Sequence, residues 1–428
     1  YASKYLLSLK MRSDGSSRLA SGNRWSTFPS VSAAWRISSE SFMEKTQIFL
    51  NDLKIRASWG LTGATTGVGL YPSYSTIGFG NAALGNQYIL SAYLSGLGNT
   101  DLGWEKTSML DFGFDARLLD NRLGVTFDYY LKNTKDILIG LPVPLEYGFG
   151  KPNVNIGELQ NNGWEVELSW NDKIGEFRYG IQANLSNNKN EVKDLGGTSP
   201  WKDGYTAEGL AMNSYYGYEA LGLFQTEEEV ANSPVYSRRY AKPGDVKYKD
   251  QNNDGVIDAD DRVVLGDRDP HYLFGVTLNG AWKGFDFSVF LQGVGKRNYI
   301  LDGPSIRPLS DQGKGPAFEH QLDYWTEDNR DAKYPRLLEA TSSLGFNHMT
   351  SDFWMINAGY LRLKNLQVGY NFSNDLLKNT GFSNIRLYFS ANNLFTISNF
   401  TPGYDPETLN AFTYPLSRTY SFGLNLQF

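Results

Sequence analysis

The chain closes on SRTYSFGLNLQF, and that short stretch limits the folds open to it. Tyr420, Phe422, Leu424, Leu426 and Phe428 fall on one side of an extended strand. Thr419, Ser421, Gly423, Asn425 and Gln427 fall on the other, because successive strand side chains point to opposite faces. A soluble protein buries such an apolar face in a core. A membrane barrel gives it to lipid and turns the polar face inward to water. The same period recurs throughout. In WEVELSW, Trp164, Val166, Leu168 and Trp170 oppose Glu165, Glu167 and Ser169; in LDFGFDARL, Leu110, Phe112, Phe114, Ala116 and Leu118 oppose Asp111, Asp115 and Arg117. In YLRLKNLQVGY the phase slips. Leu361 and Leu363 are odd, whereas Leu366, Val368 and Tyr370 are even. One extra residue near Asn365, a β-bulge, accounts for the slip.

Strand length favours the membrane. Many alternating stretches exceed the usual strand of about five or six residues and reach the roughly 9 to 11 tilted residues that a bilayer demands. Twelve long strands are expected, near 3–12, 25–38, 51–61, 104–118, 121–135, 156–170, 176–189, 271–282, 284–297, 357–370, 384–395 and 417–428. Their links alternate. Short ones are DNR (120–122), NDKIGE (171–176), KG (283–284) and the stretch near 371–383; long ones lie near 62–103, 136–155, 190–270, 298–356 and 396–416. A short link at 13–24 and a medium one at 39–50 blur this parity. Short turns on one side and long loops on the other are the layout of an outer-membrane barrel. The fold class expected is therefore all-β, a transmembrane antiparallel β-barrel with long extracellular loops. Residues 190–270 form the longest loop region. Open strand edges are not tolerated in lipid, so closure is expected to come from further strands. The opening residues already read as a strand running into a turn, as in a chain cut from something longer.

Composition supports this reading. The 428 residues contain 27 Tyr, 25 Phe, 10 Trp and 44 Gly, a set suited to strands, turns and aromatic girdles. No apolar run approaches the roughly 18 residues of a membrane helix. Cysteine is absent, which excludes disulfides, thiolate metal sites and cysteine nucleophiles. The net charge is −6 with no basic block, so nucleic acid is not an expected partner.

The sharpest local motif is DQNNDGVIDADD. Asp250, Asn252 and Asp254 stand at loop positions 1, 3 and 5, with Gly255 at the turn position 6. Val256 at 7 offers a carbonyl, Ile257 at 8 anchors the loop, Asp258 stands at 9 and Asp261 closes at 12. Hard oxygens in this register suit a structural Ca2+. Aspartate at position 12 weakens bidentate closure and leaves Mg2+ as the lesser alternative, and a solvated acidic turn is the plain reading. Upstream, TEEEVA (226–231) reads as a short helix, with Thr226 and Glu229 as a capping box.

No catalytic constellation is present: neither Gly-x-Ser-x-Gly nor His-Glu-x-x-His occurs, and no enzyme activity is expected. Glu165 and Glu167 read as a polar barrel wall. Loop aromatics, chiefly Trp201, Tyr205, Tyr215 and Tyr216, with Tyr324 and Trp325, offer faces for sugar rings; packing within the loop is the alternative role.

Several stretches together resemble one family. DGSSRLASGNRWSTFPSVSAAWRISSESFM (14–43), LGWEKTSMLDFGFDARLLDNRLGVTFDYYLKNTKDIL (102–138), GDVKYKDQNNDGVIDADDRVVLG (244–266), YWTEDNRDAKYPRL (324–337) and the terminal Phe428 are similar to the SusC/RagA family of TonB-dependent outer-membrane transporters. The resemblance runs in order over nearly the whole chain. It implies the C-terminal part, roughly twelve strands, of a barrel of about 22 strands, with the plug and TonB-contacting segment outside this sequence. It also implies import of oligosaccharides, or of peptides, across the outer membrane of Bacteroidetes. The partners implied are a SusD-like lipoprotein lid, the TonB complex and outer-membrane lipid. A third reading, from the residues alone, is a soluble calcium-dependent all-β binding or adhesion module.

Overall fold

The structure, a computed structural model, describes every residue except 142, 145, 147, 149, 199, 201–204, 237–240, 309–316, 339–345, 379–380, 401–403, 410–412 and 415. The chain divides into two compact units. The first holds residues 1–172, 181–202 and 206–212, and the second 173–180, 203–205 and 213–428.

All twelve expected strands are present. We label them β1 (Tyr5–Gly15), β2 (Trp25–Arg36), β3 (Leu50–Ala64), β4 (Glu105–Leu118), β5 (Leu123–Gly140), β6 (Asn153–Ile174), β7 (Phe177–Asp194), β8 (His271–Trp282), β9 (Phe285–Lys296), β10 (Tyr360–Asn371), β11 (Asn384–Ser398) and β12 (Thr419–Gln427). In the first unit β1 to β7 follow one another in the sheet in chain order. In the second, β8 to β12 do the same. Pairing is antiparallel, and among the described residues β1 pairs on one side with β2 and β12 on one side with β11.

Register makes each face continuous. On the first unit's apolar face, Leu9, Val31, Trp59, Leu110 and Leu131 stand in one cross-strand row. On its polar face Ala34, Arg56, Gly113, Asp128 and Glu165 do so. In the second unit Phe287, Val368, Phe389 and Phe422 form an apolar row, and Asn279, Ser288, Gln367, Ser390 and Ser421 a polar one. A one-residue slip would exchange the faces. The slip read in β10 is a real bulge: the register shifts between Leu363 and Asn365, which returns Leu366, Val368 and Tyr370 to the face of Leu361 and Leu363.

The apolar face is bare. Leu9 is 72 % exposed and Phe422 81 %. The buried apolar clusters lie instead in and beside the long links, around Leu19, Val68 and Leu102; Ile139, Val192 and Leu195; Phe224, Val246 and Tyr248; and Ile300, Ile306 and Trp354. A sandwich places its core between sheet faces. A wall with one oily and one polar face, its buried clusters in and beside the long links, is built for lipid.

Two features differ from the sequence expectation. The link after β3 carries a hairpin of its own, Thr76–Leu84 paired with Gln87–Gly96. The helix Glu227–Ala231 is capped as expected by Thr226, whose Oγ1 accepts from Glu229 N at 3.1 Å, but the Glu229 carboxylate reaches Gln225 N at 2.8 Å rather than Thr226.

Candidate functional site

On the polar face charges are held in pairs. In the first unit Lys54 lies 2.8 Å from Asp115, and Arg56 lies 3.0 Å from both Asp115 and Asp128. In the second unit Arg386 grips Asp286, which also accepts from Asn371. Glu165 and Glu167 stand on this face opposite Asp128 and Thr126, on the polar wall where the alternation places them.

At the outer end of β10 sits a group that no motif or spacing in the sequence singles out. The Arg362 side chain is nearly fully buried. It donates to Asp405 at 2.8 and 2.9 Å, to Glu407 at 2.5 Å and to Thr396 at 2.8 Å. Lys364, the bulge residue, reaches Glu407 at 3.1 Å. The loop after β11 is thereby tied to the wall.

The long links of the second unit build a body of their own. Tyr218, Phe224, Tyr236, Val246, Tyr248 and Ile257 form one core, and Tyr215, Ile300, Leu301, Ile306, Tyr334 and Trp354 another. Asp245, fully buried, binds Arg336 at 2.7 and 3.1 Å, Asn347 Nδ2 at 2.9 Å and Lys242 N at 2.9 Å. Asn347 in turn receives Val246 N at 2.8 Å. Burial pushes the hydroxyls of Tyr236 and Tyr248 well up, so both stay protonated. Burial, then the nearby Arg307, pushes His348 down to about 4.

The acidic loop hangs on this body by Ile257, its buried anchor. Its carboxylates serve the loop's own backbone. Asp250 accepts from Asn253 N at 2.6 Å and Gly255 N at 2.8 Å; Asn252 accepts from Asp254 N at 3.0 Å; Asp254 accepts from Val256 N at 2.8 Å. Asp258 accepts from Asp260 N at 2.9 Å, and the buried Asp261 from Gln251 N and Asp258 N, both at 2.8 Å. Gly255 takes a positive φ of 82°, the turn conformation that glycine adopts without a Cβ clash. Among the described residues no three carboxylate or imidazole groups gather as a metal cage. Beside the loop, Glu219 is held below the usual carboxylate range by hydrogen bonds from Gln251 and then Lys249.

The loop aromatics separate. Tyr205 and Tyr216 stack face to face at 3.9 Å. Tyr215 lies in a core with the Arg268 guanidinium 4.6 Å over its ring. Trp325 is buried and donates to Gln225 Oε1 at 3.1 Å, while Tyr324 lines a cavity with Tyr334 and His348. Trp201 lies outside the described residues.

Fold and site together define an outer-membrane-type β-barrel wall with structured outer loops. Residues 1–394 match the family described as TonB dependent receptor-like, beta-barrel, and the chain belongs to that family. It is similar to TonB-dependent receptor P3 of Formosa agariphila, 32% identical over all of this chain and 44% of that protein. It is also similar to TonB-dependent receptor SusC of Bacteroides thetaiotaomicron, 30% identical over 99% of this chain and 42% of that one. Among solved structures, the RagAB peptide transporter aligns with a TM-score of 0.80 at 25% identity, over 99% of this chain and 46% of the other. The chain thus spans less than half the length of these relatives. It is a SusC/RagA-like barrel portion, and its place is the outer membrane. That membership sets aside the soluble adhesion module. The family is one of transporters rather than enzymes.

Proposed function

We propose that this chain is the barrel portion of a TonB-dependent importer that carries an oligosaccharide across the outer membrane with a SusD-like surface lipoprotein. The observation that carries the reading is the match to SusC along 99% of the chain. The polar wall and the stacked Tyr205–Tyr216 pair support it, because sugars need hydrogen-bond partners and flat aromatic faces. A second reading, a peptide cargo, is favoured by the alignment with the RagAB peptide transporter. In either case energy coupling through TonB falls to the remainder of the polypeptide. The test is purification of the native protein from outer membranes in mild detergent, followed by mass spectrometry and uptake assays with labelled oligosaccharides and peptides. Near-equal recovery of a SusD-like lipoprotein and saturable, TonB-dependent uptake of a glycan are expected; a barrel recovered alone, without uptake of either, would falsify the proposal.

We further propose a structural Ca2+ in the acidic loop, with Asp250, Asn252, Asp254, the Val256 carbonyl, Asp258 and Asp261 as its donors and Mg2+ as the weaker occupant. The donor chemistry and the Gly255 turn fit a hard cation. Millimolar Ca2+ is expected to slow proteolysis and amide exchange across residues 250–261, and Asp254→Ala to abolish that effect. An unchanged exchange pattern would remove the ion from the account.

A further inference from the structure

The loop after β11 turns back over the polar face of the wall. Arg362 and Thr396 are register partners there, beside the apolar pair Leu361 and Ile397 that points the other way. The Arg362 side chain is only 3 % exposed, and a charge so far out of water depends on its partners. Nη2 donates to both oxygens of Asp405 at 2.8 and 2.9 Å, and Nη1 to Glu407. The loop is also closed on itself at this point. Asp405 Oδ1 accepts from Glu407 N at 2.9 Å, and its carbonyl from Leu409 N at 3.0 Å. From this tie the loop carries two rings into the loop body. Tyr404 stands 5.4 Å from Phe318 and 6.1 Å from His320, centroid to centroid. The buried Phe400 stands 5.8 Å from Tyr299 and 6.0 Å from Tyr404.

His320 and Asn399, the neighbours of these two rings, both line a cavity of about 680 Å3 in the loop body. Tyr334 and Trp354 give it an aromatic side, and Asp323 and Lys333 a polar one. A space of this size, apolar in part and set with a few polar groups, is what a small ligand needs. Carboxylate, ammonium and amide together offer acceptors and donors to a ligand rich in hydroxyl groups. His320 is held from two sides, by Tyr404 and by the Ser305 carbonyl 2.9 Å from Nε2. The tie at Arg362 therefore acts on the cavity through Asp405 and Tyr404, without lining it. Side chains fixed in advance spare a ligand the cost of ordering them.

We propose that Arg362 is a positioning residue for cargo binding: by gripping Asp405 it holds His320 and Asn399 in place at a cavity that seats the transported oligosaccharide. The inference rests on the importer reading of the preceding section. The test uses the full-length protein in native outer membranes, with uptake of a labelled oligosaccharide measured against its concentration. Three variants are compared, Arg362→Ala, Arg362→Lys and Asn399→Ala; heat-modifiable gel migration checks that each has folded, and amide exchange of the purified protein follows residues 404–409. Arg362→Ala is expected to raise the half-saturating concentration roughly tenfold and to leave the maximal rate within about twofold, the pattern of lost binding alone. Exchange across 404–409 rises with it. Arg362→Lys keeps the charge but not the fork, and it falls between the wild type and Arg362→Ala in both readouts. Asn399→Ala raises the half-saturating concentration while exchange at 404–409 stays as in the wild type. Unchanged half-saturation in either alanine variant overturns the proposal, as does a fall in maximal rate alone or unaltered exchange in Arg362→Ala. Should Arg362→Ala not fold, Arg362→Lys and Asn399→Ala decide by the same criteria. A wild type that takes up no oligosaccharide removes the importer reading and the seat with it, a result distinct from uptake that the variants leave untouched.

Discussion

Two outer insertions solve the same problem in opposite ways. The loop body of the second unit buries its own apolar residues, Phe224, Val246 and Tyr248 among them, and closes its polar centre on Asp245, Arg336 and Asn347. The hairpin of the first unit leaves Ile77, Phe79, Tyr88 and Leu90 to the outside. The contrast separates two economies of loop design. A long insertion can hold enough chain to make a core. A short ribbon cannot.

Breaking the ionic centre is the harshest test of this difference. Among the described residues, Arg336→Ala leaves the fully buried Asp245 carboxylate with Asn347 and Lys242 N. Removing one partner of a buried pair costs about 3–5 kcal/mol, so rapid proteolysis within 213–266 and 298–356 is expected while the strands stay protected. An unaltered digestion pattern would show that the centre is not what holds the body together.

Acid probes the same body more gently. His348 sits at about 4 in the folded protein, against an ordinary value of about 6.5. A depressed histidine favours the neutral form, so its contribution is whole above about pH 6.5 and drains away as pH falls towards 4. At most about 3 kcal/mol is involved. His348→Gln is expected to flatten the loss of protease resistance across that window; an identical pH profile in the variant would assign the acid sensitivity to other groups.

Thr226→Ala removes the hydroxyl that caps Glu227–Ala231 and is expected to cost about 1 kcal/mol, read as faster amide exchange in that helix alone. At the bottom of the scale, Leu90→Ala in the purified, detergent-solubilised chain is expected to change stability by less than about 0.5 kcal/mol. A large loss there would mean that the hairpin tip packs against its own chain, and the contrast between the two insertions would collapse.

The wall was legible because alternation is local. Each of the twelve strands announces itself within its own residues, and the β10 bulge is visible as the phase slip between Leu363 and Leu366. The extra rungs of β5 and β6 were not, since Ile137–Gly140 and Asn153–Gly157 pair only after register shifts. The hairpin was hidden because Gly78, Gly80 and apolar residues on both faces erase the two-residue period. The charged ties were out of reach for a different reason. Arg336 and Asn347 lie 91 and 102 residues from Asp245, and Arg362 lies 43 from Asp405, so no spacing rule connects them. The acidic loop was readable as a register, and the structure adds that its carboxylates brace the loop's own amides.

The uncharged run around the hairpin has a practical consequence. Trypsin cuts after lysine and arginine, and the sequence offers neither between Arg56 and Lys106. However prominently the ribbon stands on the cell surface, shaving intact cells with trypsin releases nothing from it. In a digest of the whole protein it travels within one long, greasy fragment, Ala57–Lys106. An enzyme that cuts after aromatic residues, given Tyr71, Tyr74, Phe79, Tyr88 and Tyr93, is the reagent that would see it.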